Sequence, residues 1–404
     1  MNESRIIIDT LCHGRWDDTR AAEMDPRKLL SLAHRNKVLV PLSRYVFDHR
    51  IDHFFKGTTS LRRMRETLLL HERDKGIWLE TLHSLVPQME EAGIDVLLLK
   101  GLSYETDIPR DMGDLDLLVR PEQLEKAIAL LEKNGFVYAG GNRGFHKRKG
   151  EAGNWERLKP WSNQFEFLNE KTGLLIELHT EFFHRDRVYR FSFDSLLDRI
   201  EDFRRRSVYS KELKCRILSV EDRLLLLCIH TAVKRAAPKK TFALRNILDI
   251  ENFIAAHPVD WQVLQRTAEE TGMLLFLLYS LETAKRFFPD LPGGDILKAG
   301  NDRLTSFQRR FKKNMHNCFY DLDTARYFRT VLYELGLPFA VKSRLKHKIS
   351  SICVLPVLFP EPWRLRQLYG FSRHSPWFFL AYPLEPVRWI RVALRQRRPP
   401  LGKI

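Results

Sequence analysis

The chain has 404 residues, 44% of them hydrophobic and 29% charged, with a formal net charge of +16. That length is too great for one small core and predicts two or three domains, while the composition excludes a disordered or membrane-embedded chain. The cysteines (Cys12, Cys215, Cys228, Cys318 and Cys353) are odd in number, scattered and without a C-x-x-C pair. This argues against a disulfide framework or zinc knuckle and predicts a reducing cytoplasm.

Residues 1–10 carry charge and no apolar core, so no secretory leader is expected there. The longest apolar runs, at 352–359 and 377–382, are too short to span a bilayer. The positive charge is uneven. Residues 341–404 hold 13 Lys and Arg against 2 Glu, a local balance of +11. A nucleic-acid face spreads its basic residues over folded elements, often among stacking aromatics, so nucleic acid is the less favoured partner.

From residue 6 to about 94 apolar residues recur at three-to-four spacing, as in Leu29, Leu30, Leu32 and Ala33 and again in Leu82, Leu85, Val86 and Met89, which predicts helices. The period then changes. Residues 94–100 form a short apolar run after Gly93, the pattern of a buried strand, and a second strand is expected at 115–119. Pro121 opens an amphipathic helix to Asn134, punctuated by Gly135, and a third strand follows at 136–138. Residues 140–160 are rich in Gly, Lys and Arg and read as a loop that would contribute to substrate selection. Segments 163–168 and 174–179 flank a turn and predict a hairpin. From 220 onward the pattern is helical again, over 224–234, 242–256, 261–271 and 274–288. The fold class expected is α+β. It comprises an N-terminal helical region (1–92), a small mixed sheet (93–200), a helical domain (201–336) and a basic Pro/aromatic-rich tail (337–404).

The stretch that carries chemistry is Lys100-Gly101-Leu102-Ser103 followed by Arg110 and by Asp114-Leu115-Asp116. Aspartates at i and i+2 on a strand share a face and repel unless a cation neutralises them. Hard Mg²⁺ favours such carboxylates and shares its shell with phosphate oxygens. A glycine at the preceding strand end lets backbone N–H groups approach a triphosphate. Glu177, in the strand with His179, is the expected third carboxylate of a two-metal clamp. Lys100 and Arg110 are placed to neutralise phosphate. Each has a plainer reading: Lys100 as a solvated strand-end lysine, Arg110 as a surface partner of Asp107 or Asp111, His179 as a core histidine. The H-x-E-x-x-H run at His179, Glu181 and His184 lacks the zinc-protease spacing. His230 with Lys234, and Arg245 with Asp249, share helical faces, with helix packing and an intrahelical ion pair the favoured reading.

These residues together resemble the uncharacterised nucleotidyltransferase family, a bacterial branch of the polymerase-β-like superfamily. The likeness rests on the L-K-G turn, the R-x-x-x-D-x-D-L-L-V block, the later acid-x-His strand, and the Leu244-Arg-Asn-Ile-Leu-Asp249-Ile250 helix followed by Val259-Asp-Trp261. It spans roughly residues 20 to 290. It implies a nucleotidyltransferase core between helical domains, and Mg²⁺-dependent transfer of a nucleoside monophosphate from a nucleoside triphosphate to an acceptor, a small molecule or peptide. Asp114, Asp116 and Glu177 would hold the metals. Lys100, Gly101, Ser103, Arg110 and His179 would contact the nucleotide. The sequence departs from the superfamily pattern at Leu102, where a second small residue is usual, and at Glu177, where Asp is commoner. Two alternatives stand beside the enzyme: a catalytically weak nucleotide-binding protein, and a scaffold recruiting RNA or a biosynthetic partner. A basic amphipathic helix over 384–398 would suit an anionic membrane surface or an acidic partner, giving a cytoplasmic protein peripheral at the inner membrane face; a C-terminal helix packed on the body is the plainer reading.

Overall fold

A computed structural model of the chain describes residues 2–104, 106, 108–110, 113–140, 163–183, 194–235, 244–317 and 376–382. The N-terminal region is helical as its periodicity predicts: α1 (Asn2–His13), α2 (Asp18–Ala22), α3 (Pro26–Arg35), α4 (Leu39–Asp48) and α5 (Thr59–Glu91). Local chemistry sets the starts. The Asp25 carboxylate accepts from the Arg27 and Lys28 N–H groups ahead of Pro26, so α3 begins with its free donors satisfied. Ile6, Leu29, Leu30, Leu42 and Val46 bury this region's own core, with Leu244 and Leu248 from later in the chain packed into it.

The sheet has seven strands in the order β3-β4-β5-β2-β1-β7-β6. They are β1 (Leu97–Leu98), β2 (Leu115–Leu118), β3 (Phe136–Gly140), β4 (Gln164–Asn169), β5 (Leu175–His179), β6 (Val208–Ser210) and β7 (Cys215–Ile217). It is mixed, because β2 runs parallel to β5 and β1 parallel to β7 while the other pairs are antiparallel. The expected hairpin is present. Asn169 Oδ1 accepts from the backbone of Lys171 and Thr172, and Gly173 takes a positive φ of 74° to close the turn.

Two features differ from the sequence pattern. The strand expected over 94–100 pairs regularly only at Leu97–Leu98, because the Asp95 N–H is taken by the Gln123 side chain instead of a neighbouring strand. The sheet also draws two strands from beyond residue 200. The β6 and β7 strands are three residues each and β6 is largely exposed, so they present too little alternation to be recognised.

Strand alternation sorts the two faces. Leu98, Leu115, Leu117, Ile176 and Leu178 point to one side, where Trp78, Leu82, Val86 and Met89 of α5 and Ile128 and Leu131 of α6 (Leu124–Lys133) cover them. Leu97, Leu99 and Leu118 point to the other, into a core shared with the helical segment. That segment comprises α7 (Asp194–Leu197), α8 (Ile200–Arg206), α9 (Val220–Arg235), α10 (Leu244–Ala256), α11 (Trp261–Glu270), α12 (Leu274–Phe287), α13 (Gly294–Arg303) and α14 (Ser306–Asn317). The loop expected over 140–160 falls, beyond Gly140, outside the described residues, as do His184, the Lys234 side chain, the tail helix expected over 384–398 and most of 337–404. Residues Pro376–Ala381 of the tail form a short 3-10 turn. No helix among the described residues is long and apolar enough to cross a membrane.

The sheet core makes a direct prediction. Leu117 is fully buried, so Leu117→Ala is expected to cost roughly 3 kcal/mol of unfolding free energy in urea denaturation. Leu69, 71% exposed on α5, is a control whose change to Ala should stay within about 0.5 kcal/mol.

Candidate metal centre

The face of β2 opposite Leu115 and Leu117 carries Asp116, and the parallel register sets it directly beside Glu177 of β5. Antiparallel pairing of β4 with β5 then sets Glu166 beside Glu177, and Gln164 beside His179. Three carboxylates therefore line up across three adjacent strands. Asp116, Glu166 and His179 are buried, and Glu177 is half-buried.

Asp116 is the hub. Its Oδ1 accepts from Lys100 Nζ at 2.8 Å and lies 2.9 Å from His179 Nε2. The same His179 nitrogen is 3.5 Å from Glu177 Oε2, which also accepts from the Gln164 amide. Burial favours the neutral acid at Asp116, but the Lys100 ammonium and the His179 hydrogen bond outweigh it and hold the carboxyl well below the usual range. Burial likewise opposes charge on Lys100, and the carboxylates of Asp116, Glu177 and Asp114 overcome it, raising the lysine above its ordinary value. For His179 burial again works against the charged form, while hydrogen bonds to Asp116 and Glu177 raise its pKa.

One ligand atom each from Asp116, Glu177 and His179 lies within 4.8 Å of the others. The separations of His179 Nε2 from Asp116 Oδ1, 2.9 Å, and from Glu177 Oε2, 3.5 Å, are those of neighbouring donors around one cation with bonds of about 2.1 Å, and two of the three are hard carboxylate oxygens. The donor set therefore fits a divalent cation. Asp114 stands one residue before β2, half-buried, close enough to contribute to the field at Lys100. The three-residue cluster among the described residues is formed without it.

The Gly101–Tyr104 turn lies against this strand start. Gly101 has φ +72°, and a Cβ there would come within 3.1 Å of the Asp114 carbonyl oxygen, so both conformation and space demand glycine. Arg110 buttresses the turn: one guanidinium nitrogen donates to the Gly101 carbonyl at 2.9 Å and another to Asp249 on α10 at 2.8 Å. Asp249 also lies 3.8 Å from Arg245, its intrahelical neighbour. Ser103 is buried, its hydroxyl donating to the Leu99 carbonyl and its own carbonyl accepting from Arg223.

Of the residues singled out in the sequence, Lys100, Asp116, Glu177 and His179 thus converge. Gly101, Arg110 and Asp114 flank them, and Ser103 is fastened inward. Sequence reasoning missed Glu166, Gln164 and the reach of Asp249 across to Arg110. The first two depend on the hairpin's true register: Asn169 faces Leu174 across a four-residue turn, 170–173, which sets 166 opposite 177, whereas the five-residue turn read from the sequence would set it opposite 176. Glu181 accepts from the Asn163 amide and is not part of the metal-binding group that His179 forms among the described residues.

The raised His179 pKa has a consequence for stability. A histidine held above its unfolded value stabilises the fold fully below that value, and the contribution is lost as pH rises through the folded pKa. In metal-free buffer the protein should therefore lose stability as pH climbs from about 6.5. His179→Asn should flatten that slope in thermal melts across the range.

A family model described as an uncharacterised nucleotidyltransferase matches residues 22–289, well over half of the chain. No curated protein and no solved structure matches.

Proposed function

The chain belongs to the uncharacterised nucleotidyltransferase family, and from that premise we propose that it transfers a nucleoside monophosphate from a nucleoside triphosphate to an acceptor, with pyrophosphate leaving. The observation that carries this reading is the convergence of Asp116, Glu177 and His179 beside a glycine turn at the end of a strand. When bound, Mg²⁺ or a similar divalent cation would neutralise the triphosphate and lower the cost of charge developing at the α-phosphorus.

The chain's own residues supply the rest. Asp116 and Glu177 would hold the cation from adjacent strands, with Asp114 able to join from the strand start. His179 fits as a further donor or as the group that orients Asp116. An imidazole among the donors also suits Mn²⁺, so both ions belong in the assay. Lys100 balances Asp116 in the absence of a cation and would meet a phosphate oxygen when one is bound. Gly101 keeps the turn narrow enough for backbone N–H groups to meet the triphosphate. Arg110 is a positioning residue, since its guanidinium is committed to Gly101 and Asp249. Glu177, the least buried of the three carboxylates in the row, is the base we assign to the acceptor hydroxyl.

The test is release of pyrophosphate, and transfer of label from α-labelled triphosphates to candidate acceptors, with Mg²⁺ or Mn²⁺. Asp116→Asn should reduce turnover roughly a hundredfold or more while the fold is retained, and Glu177→Gln should act in the same direction. Nucleotide binding without pyrophosphate release by the unmodified protein would instead favour a binding role. Absence of any metal-dependent nucleotide binding would overturn the reading.

A further inference from the structure

A second cavity borders the glycine turn through Leu102 and Ser103. It encloses about 410 Å³, within the size range of small-molecule sites, and its walls come from α5, the 101–104 turn, the β6–β7 hairpin and the start of α9. None of the metal-centre carboxylates lines it.

Arg223 is the unusual wall residue. It is 94% buried, at 6% relative exposure, and among the described residues Glu221 on its own helix acts on it through space without forming an ion pair. One terminal nitrogen donates to the Ser103 carbonyl at 2.6 Å, the guanidinium stacks 4.9 Å from the Phe253 ring centre, and Nε is buried without a hydrogen-bond partner. A buried arginine costs several kcal/mol unless a counter-charge or full hydrogen bonding offsets it. The other charges on the walls do not provide one. Arg44 and Glu72 neutralise each other across 2.6 Å. Beyond that pair, Lys75 and Arg223 share the walls with one carboxylate, Glu212.

We propose that this cavity is a binding site for a small molecule bearing a phosphate or carboxylate group, with Arg223 as its anchor. Arginine's planar fork meets either oxyanion through two parallel N–H bonds, which suits a side chain already fixed by Phe253 and by the Ser103 carbonyl. The occupant would touch the turn at Ser103, so the site communicates with the glycine turn through the backbone that both share. The assignment is independent of the proposed nucleotidyl transfer.

Calorimetric titration of the full chain in EDTA, with inorganic phosphate and separately with malonate, tests it. Saturable binding of at least one probe is expected, and the stronger of the two identifies the oxyanion class. Arg223→Met should weaken that binding roughly tenfold or more, the scale of removing one charge-assisted hydrogen bond, and Arg223→Lys should recover part of it. Lys75→Gln, on the half-buried rim, should weaken it a few-fold and keeps the test valid should Arg223→Met fail to fold. Asp116→Asn should leave it unchanged. No saturable binding of either probe, undiminished affinity in both Arg223→Met and Lys75→Gln, or loss of binding in Asp116→Asn would each overturn the proposal.

Discussion

A carboxylate buried in the face of a sheet must be surrounded by positive charge, and Asp116 imposes that requirement on everything near it. Left alone it would take up a proton or destabilise the strand that carries it. Lys100 and His179 meet the demand from the ends of two different strands, which ties β1, β2 and β5 together through side chains as well as through their ladders. The same arrangement keeps the charge available. Lysine and histidine are mobile or titratable counter-charges, and a divalent cation can take over the role that they fill.

The site's precision comes from outside the sheet. Asp249 on α10 holds Arg110, Arg110 holds the Gly101 carbonyl, and Arg223 at the start of α9 holds the Ser103 carbonyl. The glycine turn is thus gripped at two carbonyls by arginines, one anchored on the helical segment and one rooted in it. The helical segment is part of the site's architecture, although among the described residues the candidate metal-binding group itself comes only from β2 and β5.

Much of this was legible in the sequence, for reasons that particular residues make plain. Asp114-Leu-Asp116-Leu-Leu announces a strand with acids on one face, because alternation survives in a single strand without knowledge of its neighbours. Glu177-Leu-His179 is readable in the same way. What linear pattern cannot carry is pairing across the chain. Asp249 looks like the partner of Arg245 four residues earlier, since that is the only contact that helical spacing can show, yet its shorter bond is to Arg110, 139 residues away. Ser103 reads as a phosphate ligand from its place after the glycine, and only the turn's actual winding shows its hydroxyl fastened to Leu99. The β6–β7 hairpin is invisible because β6 is largely exposed and β7 shows its alternation over only three residues.

The 33 residues of α5 give the molecule a mechanical property of its own. At 1.5 Å per residue the helix is a rod of about 50 Å. Its first half is embedded in the N-terminal core through Met64, and its second half lies on the sheet through Trp78, Leu82, Val86 and Met89. The stretch between, carrying His71 and Lys75, forms one wall of the second cavity. A single lever therefore runs from the N-terminal helices, past that cavity, to the underside of the strands that bear Asp116 and Glu177. The N-terminal core and the sheet are thus fastened to one continuous helix, whose weak points are Gly76 between the two anchored halves and Pro87 beneath the sheet.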